Sequence, residues 1–386
     1  MKLLVISLEF EAGTFSGNGV HALSSLGHAV MVISGAPPGT AGQAERTEGL
    51  IHLIQVPLSK WGTLDSSCAH AEFAQAFEAA WLAERVRAFG PDAVLGVDWH
   101  AAAPFRALSA ALAAPRPLVY LNYRLHSRTD AACLETERAV FQAAALSVLL
   151  CRADAEHAAG LCAAGRREVL LPPLRDDLAA LSAADCQAGL SPRPYLVCAV
   201  RCSAEKEPAR FVALVEAMVS RGGLPDGVVP LVCGAGWAAS PLGEGLVRRL
   251  KAAAPSTVVH AAFMGPEDMA GIYRATRLNV HPCRHDAYGM TVVEAASFGA
   301  PSLVQKGGTV GATDLLQEED QVVGVDYDAV SDHELADFVI DLLGDTERLE
   351  RVGAAAQRMA LSYSALDNGR RLAALVSSVV GAEDES

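Results

Sequence analysis

Short apolar runs alternate with amphipathic stretches along most of the chain. In the first half, runs that are typical of buried strands occupy 2–8, 28–35, 50–56, 92–98, 117–123 and 146–151. The stretches between them carry apolar residues at helical spacing. In 70–90, for example, Phe73, Phe77, Trp81 and Val86 mark one face of a predicted helix. Strands that alternate with helices predict an α/β fold with a parallel, doubly wound sheet.

This pattern stops between residues 171 and 194 and then restarts. The segment LPPLRDDLAALSAADCQAGLSPRP is rich in proline and polar residues and has no strand signal. After it, apolar runs return at 195–200, 228–234, 256–263, 277–282, 300–305 and 321–326. Two doubly wound domains imply a cleft between them, and such sheets bind ligands at the carboxyl ends of their strands.

The domain boundaries follow from that interruption. We predict an N-terminal Rossmann-like domain at 1–175, a linker at 176–194 and a C-terminal Rossmann-like domain at 195–360. A C-terminal helix and an acidic tail occupy 361–386, and the helix is able to cross back to the N-terminal domain.

Composition narrows the class of protein. No run approaches the roughly 18 uninterrupted apolar residues of a membrane span, and the N-terminus reads as a first strand and not as a signal peptide. Nine cysteines without a Cys-x-x-Cys pair favour reduced, buried thiols, so a cytoplasmic location is expected. The net charge of −14 argues against nucleic acid. The net charge still allows an anionic small ligand to bind where a few cationic side chains are grouped together.

The strongest chemical signal lies between Pro282 and Pro301. A strand is followed by the loop RHDAYG and a predicted helix at 290–298. A helix N-terminus offers unpaired N–H groups and a partial positive charge, which suit a phosphate. Gly289 lets the backbone come close to it, and Asp286 and Glu294 flank it. Two acceptors beside an anion site predict the binding of a phosphorylated sugar.

This segment resembles the E-x7-E element of retaining glycosyltransferases of the GT-B fold, family 4, with Asp286 in place of the first glutamate. The segment CAVRCSAEKEPARFVALVEAM (198–218) resembles the family's Gly-Arg…Glu-Lys segment, which implies that Arg201 and Lys206 bind the donor diphosphate. Further similarity at 231–237 and 322–359 brings the coverage to nearly all of 195–381.

The N-terminal half resembles the family less closely. SLEFEAGTFSGNGV (7–20) resembles the glycine loop after the first strand, which implies that Gly17 and Gly19 approach the donor phosphates and the acceptor. Only Val20–Leu26 then remain for the next helix, which is shorter than usual. VDWHAAAPFRAL (97–108) resembles the end of the fourth strand, which implies that His100 faces the transferred sugar.

The resemblance implies a metal-independent hexosyltransferase that uses a UDP- or GDP-linked sugar and a hydroxyl acceptor and needs no cofactor. Gly289, Met290 and Thr291 would meet the diphosphate. Glu294 would hold the ribose, and Asp286 the hydroxyls of the transferred sugar. No nucleic-acid partner and no transmembrane segment are expected. A peripheral membrane contact and the oligomeric state stay open.

Other functions fit the same sequence. A catalytically inactive GT-B-fold binding or scaffold protein is the main alternative, and sugar-nucleotide epimerisation or phosphorolysis is the third. The glutamate that usually follows the Gly307-Gly308 turn is missing at 310–312, which favours the scaffold. Arg201 and Lys206 can also be surface charges and His100 a core histidine. Asp326-Tyr327-Asp328 spells Asp-x-Asp but lies far along the chain from the anion site, so we predict no metal there.

Overall fold

The computed structural model describes residues 1–10, 15–39, 44–59, 67–112, 114–128, 130–185, 193–262 and 264–383. The chain divides into two compact units, and the first is assembled from both ends of the chain. Unit 1 comprises Met1–Pro173 and Ala365–Ser386, and unit 2 comprises Leu174–Ser364. No helix within the described ranges is long and apolar enough to cross a membrane.

Unit 1 contains an eight-stranded sheet with strand order β3-β4-β2-β1-β5-β6-β7-β8. Its strands are β1 (Lys2–Ser7), β2 (Ala29–Ala36), β3 (Ala44–Glu48), β4 (Ile51–Pro57), β5 (Ala93–Val97), β6 (Leu118–Asn122), β7 (Leu146–Leu149) and β8 (Arg166–Val169). All neighbours pair in parallel except β3, which runs antiparallel to β4. Alternate residues of β1 enter separate hydrophobic clusters, Leu4 and Ile6 in one and Leu3 and Val5 in the other. Both faces of the central sheet are therefore covered, as parallel sheets require.

Two sequence predictions about the helices of unit 1 are wrong. The helices are α1 (Phe15–Ser25), α2 (Ser67–Ala76), α3 (Ala80–Phe89), α4 (Ala102–Ala111), α5 (Leu134–Ala143), α6 (Arg152–Leu161) and, from the other end of the chain, α14 (Ala365–Glu383). The single helix predicted for 70–90 is two helices, α2 and α3. Trp81 is 37% exposed while Phe73, Phe77 and Val86 are buried, because the break after α2 resets the helical phase.

The predicted glycine loop is the second correction. Residues 11–14 of that stretch lie outside the described residues, but α1 already begins at Phe15. Gly17 and Gly19 are therefore helical, and the helix is not confined to Val20–Leu26. The resemblance implied a loop here, and a glycine in a helix interior is less favourable than alanine by about 1 kcal/mol. Packing against α14 offsets that preference: a Cβ on Gly369 would lie 2.6 Å from the Cβ of Ala22.

Unit 2 contains a six-stranded sheet with strand order β11-β10-β9-β12-β13-β14. Its strands are β9 (Tyr195–Ala199), β10 (Val229–Cys233), β11 (Val258–His260), β12 (Thr276–Val280), β13 (Ser302–Gln305) and β14 (Val323–Val325), all paired in parallel. Its helices are α7 (Asp176–Asp185), α8 (Pro208–Ser220), α9 (Pro241–Ala253), α10 (Pro266–Arg274), α11 (Met290–Ser297), α12 (Asp332–Gly344) and α13 (Thr346–Leu361).

The segment expected as a linker is in part a helix of unit 2. Asp176–Asp185 forms α7, and the hydroxyl of Ser182 donates a hydrogen bond to the carbonyl of Ser297 at the end of α11. Leu178 and Ser182 are fully buried. Residues 186–192 of the expected linker lie outside the described residues. Proline and polar residues upstream concealed a short helix that is fixed by tertiary contacts.

Candidate functional site

The carboxyl ends of β9 and β12 position the main group of predicted site residues. These two strands are parallel neighbours in the sheet of unit 2, so the segments that follow them leave the sheet at the same edge. Arg201 and Lys206 follow β9, and Lys206 ends the short 3₁₀ turn Ala204–Lys206. Asp286 and α11 follow β12. Topology therefore assembles residues that are 80 positions apart in sequence.

Lys206 and Asp286 form a half-buried ion pair. The Lys206 Nζ lies 2.7 Å from Asp286 Oδ2, and the two side chains are 20% and 12% exposed. The backbone of Asp286 is fixed as well: its N–H donates to the carbonyl of Thr309 at 3.1 Å, and its carbonyl accepts from the N–H of Gly311 at 3.0 Å. The sequence predicted both side chains for the donor site, and the structure brings them together.

His281 lies behind this pair and was not predicted. Its Nε2 is 3.2 Å from Asp286 Oδ2, and its side chain is 2% exposed. Burial disfavours the charged ring, but the nearby Cys283 and the Asp286 carboxylate outweigh burial and raise the pKa of His281 to about 9. The pKa of Asp286 is well below its usual range, because His281 and Lys206 outweigh the opposing effect of burial. The sequence signal was a histidine directly after a strand end.

The N-terminus of α11 adjoins the same loop. Gly289 is the residue before the helix and has φ 80° and ψ 55°, a left-handed conformation that glycine adopts without strain. A Cβ at this position would lie 3.0 Å from Val310 Cγ1 and 3.5 Å from His281 Nε2. Met290 and Thr291 form the first turn, and no side chain caps it.

Glu294 is buried within unit 2 and is not a solvated helix residue. It is 8% exposed, and the Tyr273 hydroxyl donates to its Oε2 at 2.9 Å. Burial raises the pKa of Glu294, while the Tyr273 hydrogen bond and the charge of Arg175 oppose the shift. Sequence reasoning missed both partners, because each lies on a different helix or loop from α11. Glu294 is thus held in place, which suits an acceptor for ligand hydroxyls.

Arg201 is placed differently from Lys206. Its side chain is 46% exposed, and its guanidinium lies 2.8 Å from Glu205 Oε1, a surface pair within one turn. Arg201 follows the correct strand end, but its cation is turned to a neighbouring acid. The predicted role in diphosphate binding remains a prediction.

The Asp-x-Asp segment has structural partners. The Asp326 Oδ1 accepts from Gln305 Nε2 at 3.3 Å and from the Asp328 N–H at 3.0 Å, and Asp328 lies 3.1 Å from Arg284. Tyr327 between them is buried. Neither carboxylate belongs to a cluster of three or more metal-ligating side chains within the described residues.

The Gly307-Gly308 turn has φ values of 89° and 74°, a left-handed conformation that glycine adopts without strain.

His100 lies in unit 1, among other aromatic rings. It sits in the 3₁₀ turn Trp99–Ala101 after β5 and is 8% exposed. The ring centroids of His70 and Trp99 are 4.0 and 4.5 Å from its own, and that of His126 is 5.6 Å away. Burial, with the charges of His70 and His126, lowers the pKa of His100 to about 2. His100 is therefore a neutral imidazole at physiological pH, able to act as a hydrogen-bond partner.

Asp98 precedes this turn and has an unusual environment. Its φ of 52° and ψ of 176° fall in a region that only glycine occupies readily. Its Oδ1 accepts from the N–H groups of Tyr123 and Arg124 at 2.8 and 3.2 Å. Burial raises the pKa of Asp98 to about 7, although the two backbone donors oppose the shift. Strain and a perturbed carboxyl beside His100 are features that cluster at functional sites.

Comparisons with known proteins add to this geometry. Residues 212–376 match the family described as glycosyl transferase-like. By sequence, no curated protein matches the chain. The fold is similar to a sucrose-phosphate synthase from Thermosynechococcus elongatus, with a TM-score of 0.78 at 15% identity over 99% of both chains.

Two further solved structures have the same fold. An α,α-trehalose 6-phosphate synthase from Burkholderia multivorans matches with a TM-score of 0.75 at 13% identity over 99% of both chains. Anabaena HepE, solved in complex with UDP and glucose, matches with a TM-score of 0.70 at 16% identity over 98% of this chain and 100% of that one. The predicted GT-B architecture of two Rossmann-like domains is confirmed. With the family match, these comparisons indicate a glycosyltransferase.

Proposed function

We propose that the protein is a retaining glycosyltransferase that moves a sugar from a nucleotide-diphosphate sugar to an acceptor hydroxyl without a metal ion. The observation that carries the proposal is the assembly of Lys206, Asp286 and the N-terminus of α11 at one sheet edge. The motif order of 195–381 supports family 4 as the group to which the chain is related. The Anabaena HepE complex with UDP and glucose supports a UDP-linked donor.

Each side chain has a role that follows from its chemistry. As the bond between the sugar C1 and the diphosphate oxygen breaks, negative charge develops on the diphosphate. Lys206, Arg201 and the N-terminus of α11 would stabilise that charge, and such stabilisation is strongest in the transition state. The acceptor oxygen forms a new bond to C1 on the same face, and its proton passes to the departing phosphate oxygen. No separate base is required.

The two acids would divide the donor between them. Glu294, held by Tyr273, would accept hydrogen bonds from the ribose hydroxyls. Asp286 already carries its negative charge, and its pKa is well below its usual range, so it can accept from sugar hydroxyls across the whole physiological pH range. Lys206 is shared: it contacts Asp286 at 2.7 Å and would contact the diphosphate once the donor is bound.

A panel of nucleotide sugars tests the proposal. Hydrolysis of one or more of them should persist in excess EDTA, because a lysine, an arginine and a helix N-terminus replace the cation. Loss of turnover on chelation that Mg²⁺ or Mn²⁺ restores would contradict metal independence. Lys206→Ala is the matched variant, and Lys251→Ala in α9 is the control for removal of a lysine elsewhere in unit 2.

A binding or scaffold protein is the second candidate, and one observation favours it. Both predicted cations lie next to acids of the chain itself, Lys206 next to Asp286 and Arg201 next to Glu205. Calorimetry with UDP, combined with the hydrolysis assay, separates the candidates: a scaffold that keeps the site binds UDP without hydrolysing any donor. Turnover with any nucleotide sugar excludes the scaffold.

A further inference from the structure

Three side chains with different ligand chemistry meet at the Lys206–Asp286 pair, and Asp286 itself is one of them. His281, Cys283 and Asp286 each offer one ligand atom, a nitrogen, a sulfur and a carboxylate oxygen, and all three atoms lie within 4.8 Å of one another. Within the described ranges, this is the one group of three or more metal-ligating side chains with that property. The role of Asp286 in the proposed function does not account for the other two.

The group is buried, and its histidine is paired with the Asp286 carboxylate by charge. Cys283 is fully buried and His281 is 2% exposed. Neither ring nitrogen of His281 makes an aligned hydrogen bond, although Nε2 lies 3.2 Å from Asp286 Oδ2. The ring is thus held by charge and not by an aligned hydrogen bond, and a metal ion that replaces its proton would pair with both the ring and the Asp286 carboxylate.

The backbone around the group is fixed on both sides. The His281 N–H donates to the carbonyl of Leu303 at 2.9 Å, and its carbonyl accepts from the Tyr327 hydroxyl at 3.1 Å. The Cys283 thiol lies 3.4 Å from the carbonyl of Lys206, to which it donates. The side chains therefore approach one another without a rearrangement of the strand end, and rotation of the Cys283 and Asp286 side chains is the movement that remains.

We propose that His281, Cys283 and Asp286 bind Zn²⁺ or another thiophilic divalent cation, and that the cation competes with Lys206 for the Asp286 carboxylate. Nitrogen, thiolate sulfur and carboxylate oxygen are the ligand types that Zn²⁺ accepts, at distances of about 2.0 to 2.3 Å. Three protein ligands leave a fourth position for water or a phosphate oxygen. On binding, the Cys283 thiol and the His281 imidazolium each release one proton to solvent, the Lys206 ammonium leaves Asp286, and no electron is transferred.

The consequence for the reaction rests on the proposed function. A cation bound in this way removes Asp286 from the sugar hydroxyls and places a positive charge next to Lys206. The cation is therefore an inhibitor of transfer and not a cofactor, which is consistent with the metal-independent transfer proposed above. Binding itself is measured without any turnover, so failure of the proposed function and failure of the metal site are distinguishable.

Cobalt is the probe for the experiment. Co²⁺ added to the purified full chain should give two sets of absorption bands. One is a thiolate-to-cobalt charge-transfer band in the near ultraviolet, and the other is the set of visible bands that is typical of tetrahedral cobalt. One equivalent of Zn²⁺ should displace both sets of bands. Cys283→Ser should abolish the charge-transfer band. Cys133→Ser is the matched control, because the Cys133 sulfur lies 3.9 Å from a carboxylate oxygen of Asp130, in unit 1. It should leave the spectrum unchanged.

Competition between the cation and Lys206 predicts a variant with a higher affinity for Co²⁺, whereas loss of a ligand lowers that affinity. Lys206→Ala removes the cation that holds Asp286, so it should raise the affinity for Co²⁺ by about tenfold or more. Asp286→Asn should lower the affinity by a similar factor and keep a weaker thiolate band, and it provides a second variant where Cys283→Ser does not fold. An unchanged charge-transfer band in Cys283→Ser overturns the site. An unchanged affinity in Lys206→Ala overturns the competition.

Discussion

Replacing Glu294 by glutamine changes a buried carboxylate into an amide of nearly the same shape. The Tyr273 hydroxyl donates to Oε2 at 2.9 Å, and the amide oxygen of glutamine can accept the same bond. The variant therefore keeps the packing and loses the charge. Because burial already raises the pKa of Glu294, removal of the charge should change the free energy of unfolding by no more than about 1 kcal/mol.

Binding should respond much more strongly than stability. A hydrogen bond to a charged acceptor contributes about 1.5 to 3 kcal/mol, against roughly 1 kcal/mol for a neutral one. If Glu294 holds the ribose, the variant should bind UDP about 3- to 30-fold more weakly, since each 1.4 kcal/mol is a factor of ten. Asp286→Asn should leave UDP affinity nearly unchanged and lower turnover instead, because the transferred sugar is absent from UDP.

Calorimetry with UDP and with the intact donor measures both variants. Glu216→Gln, in a surface ion pair with Arg249 in the same unit, is the matched control for the same chemical change. It should bind both ligands like the unmodified protein. Equal weakening of UDP binding in Glu294→Gln and Asp286→Asn would refute the division of the donor between the two acids. Unchanged binding in both would remove them from the ligand site.

Three further predictions rest on other features of the structure. Arg201→Ala and Lys206→Ala should each lower kcat by about 100-fold, roughly 3 kcal/mol, and weaken donor binding less; unchanged steady-state turnover would make that side chain a surface residue. Gly289→Ala should destabilise more than Gly307→Ala in urea unfolding, because both have positive φ but only the first Cβ meets a neighbouring side chain, at 3.0 Å. Equal losses would contradict this. Asp98 binds a proton in the folded state between pH 3.8 and about 7 that the unfolded chain has released, so its contribution to stability falls by about 4 kcal/mol as pH rises through that window. Asp98→Asn mimics the protonated acid, so its free energy of unfolding should not fall in this way between pH 3.8 and about 7. An equal fall in the variant would show that another group causes the pH dependence.

The sheet of each unit was predictable from the sequence, and two edge strands were not. Buried parallel strands are continuous apolar runs, so β1, β9 and their neighbours stand out. The edge strands β3 and β8 are AERTE and RREV, polar segments that pair on one side only. Their pairing depends on the adjacent strand and not on their own hydrophobicity.

The site was predictable where it is local and not where it depends on contacts between distant segments. Asp286, Gly289 and Glu294 stand within one strand–loop–helix unit, so their spacing carries the signal. The Tyr273 hydroxyl and the ring of His281 meet these residues only through packing of a separate helix and a strand end. Helical and strand periodicities show which residues share a face of one element, but they do not show contacts between elements that are distant in sequence.

The return of α14 to unit 1 has a consequence for synthesis. Leu372, Val376 and Val379 belong to the same hydrophobic cluster as Leu3 and Val5. The ribosome makes the first strand early, and Val20 and Leu23 of α1 join this cluster at once, but the part of the covering that α14 supplies is not available until Ala365–Glu383 has been translated. Unit 2 is one uninterrupted segment and is free to fold before that point, so the N-terminal sheet is the part that remains incompletely covered. Chaperone capture of nascent chains should therefore map to unit 1.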